Sequence, residues 1–370
     1  MWFQEIIKII TIKCICGDSM KNVHIFPSTT FLEPYIEFIS KNFDSKEHLF
    51  LIPGKGIEVK ITPRDNVVQL TRNTKSFWRL IYEMNKSEKV FLHNLFNVKI
   101  VFLLFFQPWL LRKCNWVVWG GDLYYYKSRK KTLKSAFYEK FRGYVIKNIG
   151  GLITHIKGDY ELAKFWYGAK GKYYYCFMYP SNLYKEYNLD CIKNESKKII
   201  ILIGNSANPS NNHLEIFEKI KKYKEYNLEI ICPLSYDNTQ YRDQVISRGK
   251  EIFGEKFRPL IVFIPFNEYL DLLAQVDVAI FNHKRQQAMG NITTLLGLGK
   301  KVYVRDDITT WEFFIEHGLK VFNSNSDFDD LFEDIGKRLR EANMENVKNK
   351  FSVEKLRDDW EQIFNSGAIL

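Results

Sequence analysis

Short apolar runs alternate along the chain with segments whose apolar residues recur at helical spacing. In the first half, residues 23–26, 48–52, 89–92, 115–118 and 151–155 read as strands. Residues 31–42 and 74–85 read as helices between them, the second with Phe77, Leu80, Ile81 and Met84 on one face. Residues 180–198 are polar, charged and poor in pattern, which marks a boundary. The alternation then restarts. Strands are expected at 199–203, 229–232, 260–264, 276–281 and 301–304, and helices at 212–223, 240–253, 266–275, 292–298 and 327–340. A last helix is expected at 353–364. Strands that alternate with helices imply parallel sheets covered on both faces, so the fold class is α/β with two Rossmann-like domains. The expected division is a leader (1–19), a first domain (20–180), a linker (181–198), a second domain (199–352) and a C-terminal helix (353–370).

Composition narrows this picture. The chain has 370 residues, 46% of them hydrophobic and 16% aromatic, enough for two cores of ordinary size. No run of about twenty apolar residues occurs, so no spanning helix is expected. Residues 1–19 lack a clean signal-peptide core; they read as an amphipathic anchor or as sequence upstream of a start at Met20, and the second reading is favoured. The six cysteines form no C-x-x-C pair and read as reduced thiols. A net charge of +11 points to an anionic partner: a phosphorylated metabolite, a membrane face or nucleic acid. No nucleic-acid module is visible, and that partner is not expected.

Two polar loops carry the candidate chemistry. Gly204-Asn205-Ser206-Ala207-Asn208-Pro209-Ser210-Asn211-Asn212-His213 follows the expected strand at 199–203. Arg285-Gln286-Gln287-Ala288-Met289-Gly290-Asn291 follows the strand at 276–281 and opens an apolar helix. Ligands in open α/β sheets sit at the carboxyl ends of strands. Free N–H groups and the positive dipole end of a helix favour an anion there. A capping role at Ser210 or Asn211 explains one of these residues, not Asn205, Ser206, Asn211, Asn212 and His213 together. With Arg285 aimed at a diphosphate, the two loops suggest a nucleotide-sugar site. Trp119-Gly120-Gly121-Asp122-Leu123-Tyr124 offers Asp122 as a general base, with Asp65 and Glu83 as weaker rivals. Asp327-Phe328-Asp329 has D-x-D spacing but reads as the acidic first turn of a helix, and neither metal nor cofactor is required. Lys127, Arg129, Lys130, Lys131 and Lys134 form a basic run leading into Phe137, Phe141, Tyr144 and Val145 on one helical face. A solvated basic face over a buried stripe is the ordinary reading, and a membrane-surface helix comes next.

The two second-half motifs, with Arg305 and Trp311 after them and the Trp119–Tyr124 segment before, resemble the TDP-N-acetylfucosamine:lipid II N-acetylfucosaminyltransferase (4-alpha-L-fucosyltransferase) family. The resemblance runs from about Met20 to the end. It implies the GT-B fold, two Rossmann-like domains facing a cleft, and a dTDP-sugar donor. It implies a polyprenyl-diphosphate-linked acceptor at the cytoplasmic face of the bacterial inner membrane, in enterobacterial common antigen or O-antigen synthesis. Asn205, Ser206, Ser210, Asn211, His213, Arg285, Gln286, Gln287, Gly290, Asn291, Arg305 and Trp311 then fall on the donor side and Asp122 on the catalytic side. The chain departs from the family at Gly121, where the common antigen enzyme has Ala, and at Phe26-Pro27-Ser28, where Gly-Ser-Asp is expected. Two rivals stay open: a nucleotide-sugar epimerase of GT-B shape and a non-catalytic, membrane-peripheral assembly protein.

Overall fold

The computed structural model describes residues 21–54, 61–71, 73–185 and 198–367. The leader, most of the expected linker, Cys14, Cys16 and Cys191 lie outside these residues. The chain divides into two compact units, residues up to Leu92 and His93–Ile369.

The first unit contains β1 (Asn22–Ile25), α1 (Leu32–Asn42), β2 (His48–Pro53), β3 (Val67–Leu70), α2 (Thr74–Lys86) and β4 (Lys89–His93), whose last residue opens the second unit. Its strands run in the order β3-β2-β1-β4 and pair in parallel. β1 and β2 are almost wholly buried, as strands covered on both faces must be, even though they carry Asn22, His24 and His48 among their apolar residues. His24 and His48 lie inside this sheet with Nε2 and Nδ1 3.0 Å apart. Burial pulls the His48 imidazole down to about 4, so it stays neutral.

The second unit begins with α3 (Val98–Phe106), β5 (Cys114–Val117), α4 (Gly121–Ser128), α5 (Leu133–Asn148), β6 (Gly151–Ile153), α6 (Lys157–Tyr167) and β7 (Lys172–Tyr174). Strands β5, β6 and β7 are parallel neighbours. There follow β8 (Ile199–Ile203), α7 (His213–Ile220), β9 (Leu228–Pro233), α8 (Thr239–Phe253), β10 (Phe257–Leu260), α9 (Phe266–Gln275), β11 (Val278–Phe281), α10 (Met289–Gly297), β12 (Lys301–Val304), α11 (Thr309–Glu316) and β13 (Phe322–Asn323). These six strands form one parallel sheet in the order β10-β9-β8-β11-β12-β13. Counted from β8 the order is 3-2-1-4-5-6, so the reversal of direction falls between β8 and β11. The two polar loops follow these two strands. Ile201, Ile203, Phe217, Ile230, Val278 and Ile280 centre the core beneath them. The chain ends with α12 (Lys337–Lys350) and α13 (Val353–Asn365). Trp360 of α13 is fully buried and donates from Nε1 to the Met178 carbonyl at 3.0 Å.

Three expectations are corrected. The apolar run at 260–264 is not a strand: β10 ends at Leu260, and Val262 and Phe263 stand exposed on the loop that follows. The helix expected at 327–340 starts at Lys337, after Gly336 at φ +77°; upstream, Phe328 takes φ +60° and buries its ring in the core instead of opening a helix. Asp329, one half of the D-x-D spacing, pairs with Lys222 at 2.6 Å. The face of α5 read as a buried stripe is only half inside: Phe137 and Tyr144 are exposed, Phe141 is half-buried and Val145 is buried, and Glu139, Arg142 and Ile146 complete the buried side.

Candidate active site

The loop after β8 is built around Asn211. Its buried side chain accepts from the Asn205 N–H at 2.9 Å and donates to Ser206 Oγ at 3.3 Å and to the Asn208 carbonyl at 3.0 Å. Gly204 turns at φ +70°; a Cβ there would overlap His213 Nε2 and lie 2.7 Å from Asn211 Oδ1. His213 is sealed beneath the loop, and burial pulls its imidazole down to about 3. Ser206, Asn211 and His213 therefore shape the loop from inside, while Asn205 and Ser210 reach outward.

The loop after β11 meets it at Gln287. That side chain donates to Asn205 Oδ1 at 2.8 Å and accepts from Ser210 Oγ at 2.7 Å. Below, His283 Nε2 lies 2.9 Å from Asn211 Oδ1, and the Lys284 N–H donates to the Ser210 carbonyl at 3.0 Å. Helix α10 starts after Ala288 at φ +58°, and no side chain caps it. Its first-turn donors are thus left to water or a ligand.

Arg285 stands at this uncapped end. Among the described residues no carboxylate comes within ion-pair distance of it; its Nη1 donates only to the Gln286 carbonyl, at 3.0 Å. Burial pulls the guanidinium below its ordinary value, while Asp237, Asp122, Tyr124 and Asp159 act at longer range to hold its charge. A partly buried cation without a counter-charge is costly unless an anion arrives.

A third loop closes on the cation. Gly120 turns at φ +73° after β5, and a Cβ there would overlap Gln286 Oε1 and lie 2.8 Å from the Gln286 carbonyl oxygen. A Cβ on Gly121 would lie 3.3 Å from the Phe96 ring and 3.8 Å from Arg285 Nη1. The two glycines thus let backbone approach the Arg285–Gln286 segment. Asp122 is fully buried in this turn. Its Oδ1 accepts from the Trp119 and Leu123 N–H groups at 2.9 and 3.0 Å, and its Oδ2 from the Leu95 N–H and Trp116 Nε1 at 3.0 and 2.6 Å. Burial nonetheless raises its carboxyl above the ordinary range. With four donors filling both oxygens, Asp122 anchors the turn and has no oxygen facing an acceptor hydroxyl.

Neighbouring side chains complete the site. Asp159, buried in the first turn of α6, accepts from Thr309 Oγ1 at 2.6 Å and from the Tyr124 hydroxyl at 3.4 Å. Burial pushes its carboxyl up to about 7, more than the Thr309 and Tyr124 bonds lower it. Arg305 is neutralised elsewhere by both oxygens of Asp307, at 2.8 and 2.7 Å, and by Glu215 at 3.8 Å. Trp311 is partly buried on α11. Of the rival carboxylates, Asp65 is exposed and Glu83 pairs with Arg79 at 3.9 Å. A cavity of about 190 Å³ opens beside Asn205, lined also by Tyr236, Leu260, Phe263, Ile264, Tyr269 and Asn291. Asn205 donates to the Tyr236 hydroxyl at 2.9 Å and Asn291 to the Tyr269 hydroxyl at 3.1 Å. Gly290 packs close to Ser181, its Cβ position 3.0 Å from that carbonyl oxygen. Sequence reasoning missed Tyr236, Tyr269, Asp159 and Thr309. Tyr236 follows β9 at the same sheet edge as the two polar loops, and that placement was the available signal.

The fold is shared with solved GT-B glycosyltransferases. HepE of Anabaena, in complex with UDP and glucose, is 10% identical and superposes with a TM-score of 0.68 over 93% of this chain and 99% of that one. A glycosyltransferase of Rickettsia africae gives 0.64 at 14% identity over 95% and 100%. WaaG, a glycosyltransferase involved in lipopolysaccharide biosynthesis, gives 0.61 at 11% identity over 94% and 100%. The fold is therefore GT-B. Residues 47–368 match the profile of the 4-alpha-L-fucosyltransferases, glycosyl transferase group 56, and the chain belongs to that family. It is a fucosyltransferase-like glycosyltransferase.

Proposed function

We propose that the protein transfers an N-acetylfucosamine-like amino-deoxy sugar from a dTDP-sugar to a polyprenyl-diphosphate-linked oligosaccharide. The reaction would serve bacterial surface polysaccharide synthesis, of the common antigen or O-antigen kind, at the cytoplasmic face of the inner membrane. The observation that carries the donor reading is Arg285, a partly buried cation with no ion-pair partner among the described residues, on the loop that opens the uncapped α10. A diphosphate supplies the charge this position lacks. The adjoining cavity, with Tyr236, Phe263 and Tyr269 around Asn205 and Asn291, suits a flat base with polar edges. The leaving dTDP gains negative charge as the sugar bond breaks, and Arg285 with the first N–H groups of α10 stabilises that charge. Gln287 holds the two donor loops in register through Asn205 and Ser210. Asp122 serves as a positioning residue that fixes the turn facing Arg285.

Peripheral attachment fits the described residues, where no helix is long and apolar enough to cross a membrane. It fits also the exposed Phe137 and Tyr144 beside a lysine-rich segment. Incubation with a panel of dTDP-sugars and membrane extract, read by mass spectrometry, tests the reaction. The expected product is a lipid-linked glycan heavier by one amino-deoxy hexose, formed with release of dTDP. Conversion of the dTDP-sugar without any acceptor would instead identify an epimerase.

A further inference from the structure

We infer that the groove between α3, α4 and α5 binds the first isoprenoid units of the acceptor's lipid chain. It measures about 410 Å³, within the range of small-molecule sites. Phe96, Val98, Phe102, Tyr125, Phe137 and Tyr138 line it. Phe137 is 60% exposed, and Leu133 next to the groove is 93% exposed. Contiguous apolar surface of this kind is rarely left to water and marks a binding face.

Three observations choose the occupant. The adjoining charge is cationic: Lys134 lines the groove, Lys130 and Lys131 are exposed on the segment leading into its Thr132, and the only acidic residue between Leu123 and Lys140, Glu139, is buried against Arg142. A ligand that fits both surfaces joins a hydrocarbon chain to an anionic head. The groove also runs toward the reaction centre, since Phe96 in its wall lies against Gly121, and Gly121 lies against Arg285. A chain seated here puts its diphosphate over the lysines and its sugars beside the donor. Last, the groove is concave, with buried Leu95 and Arg142 in its lining, a shape that takes in one flexible chain entering from a bilayer at its exposed mouth. The inference rests on the proposed lipid-linked acceptor, not on the identity of the donor.

The test uses the full chain and a farnesyl diphosphate carrying a photoactivatable benzophenone, with cross-linked peptides located by mass spectrometry. Labelling is expected within residues 96–102 and 125–138, and V98W, which fills the groove, should cut it about tenfold. Replacing Lys130, Lys131 and Lys134 by Gln should weaken the diphosphate probe by about fivefold per lysine, the scale for a lysine near anionic headgroups. The same change should leave the matching isoprenol probe unaffected. Labelling that ignores V98W, or that follows exposed apolar residues such as Phe106 and Trp109 instead, overturns the inference. Equal loss of both probes in the lysine variant also overturns it. Titration of dTDP against each variant separates the two readings. Groove labelling without any dTDP binding refutes the donor assignment alone, whereas intact dTDP binding without groove labelling refutes the groove alone.

Discussion

At the scale of single residues, two buried carboxylates hold different stations. Asp122 spends both oxygens on four donors. Asp122→Asn turns one of those acceptors into an NH₂ group facing donors, which should cost about 2 kcal/mol or more of stability. Urea denaturation measures this; lost transfer activity at unchanged stability would point to a direct chemical role instead. Asp159 is the titrating partner. Its folded-state carboxyl is raised to about 7, so the folded protein holds that proton more tightly than the unfolded chain. Its contribution is fully present below the unfolded value near 4 and is lost as pH rises to about 7. Asp159→Asn keeps an acceptor for Thr309 and removes this loss. The variant should therefore gain stability over the wild type between pH 4 and pH 8, by a few kcal/mol on an order-of-magnitude scale. Parallel denaturation curves at the two pH values check the sign, and a variant that gains nothing on the wild type from pH 4 to pH 8 would refute it.

At the scale of elements, the proposed donor site is three strand-to-helix turns, those after β5, β8 and β11. Gly120 is the hinge of the first, with φ +73° and no space for a side chain against Gln286. Gly120→Ala should destabilise by roughly 2–4 kcal/mol, from the left-handed backbone and the overlap together. It should also lower dTDP affinity by displacing the Arg285–Gln286 segment. Calorimetric unfolding with a dTDP titration checks both, and an unchanged Tm would mean that the two turns do not touch. These turns were legible because their polar residues interrupt apolar strands at one edge of a sheet. Strands β8 and β12 and helix α9 were also readable to their last residue, each being a clean run between breakers. The stretch 260–264 was not readable, since an apolar run looks the same in a buried strand and on an exposed loop. Helix α5 misled for the opposite reason: its buried face carries Glu139 and Arg142, which pair at 3.0 Å and share the Tyr167 hydroxyl, so polarity no longer marks the outside. Nor does sequence show that Arg305 is already neutralised by Asp307, because that pairing depends on side-chain geometry within a turn.

For the molecule as a whole, family membership and fold define a GT-B glycosyltransferase, while net charge of +11 and exposed aromatic side chains bear on where it works. Binding to vesicles that contain anionic lipid should weaken as salt rises, since exposed charges are screened beyond about 8 Å at physiological ionic strength. Leu133→Ser with Phe137→Ser should weaken it further at every salt concentration. Co-sedimentation measures both, and salt-independent binding would argue against a basic docking face. The central claim is that Arg285 and the start of α10 take the diphosphate of a nucleotide-sugar. Isothermal titration of dTDP and of thymidine against wild type and Arg285→Ala tests it most directly. Arg285→Ala should weaken dTDP by about tenfold to a hundredfold, the worth of a charged hydrogen bond, and leave thymidine unchanged. Equal weakening of both, or of neither, would contradict the account.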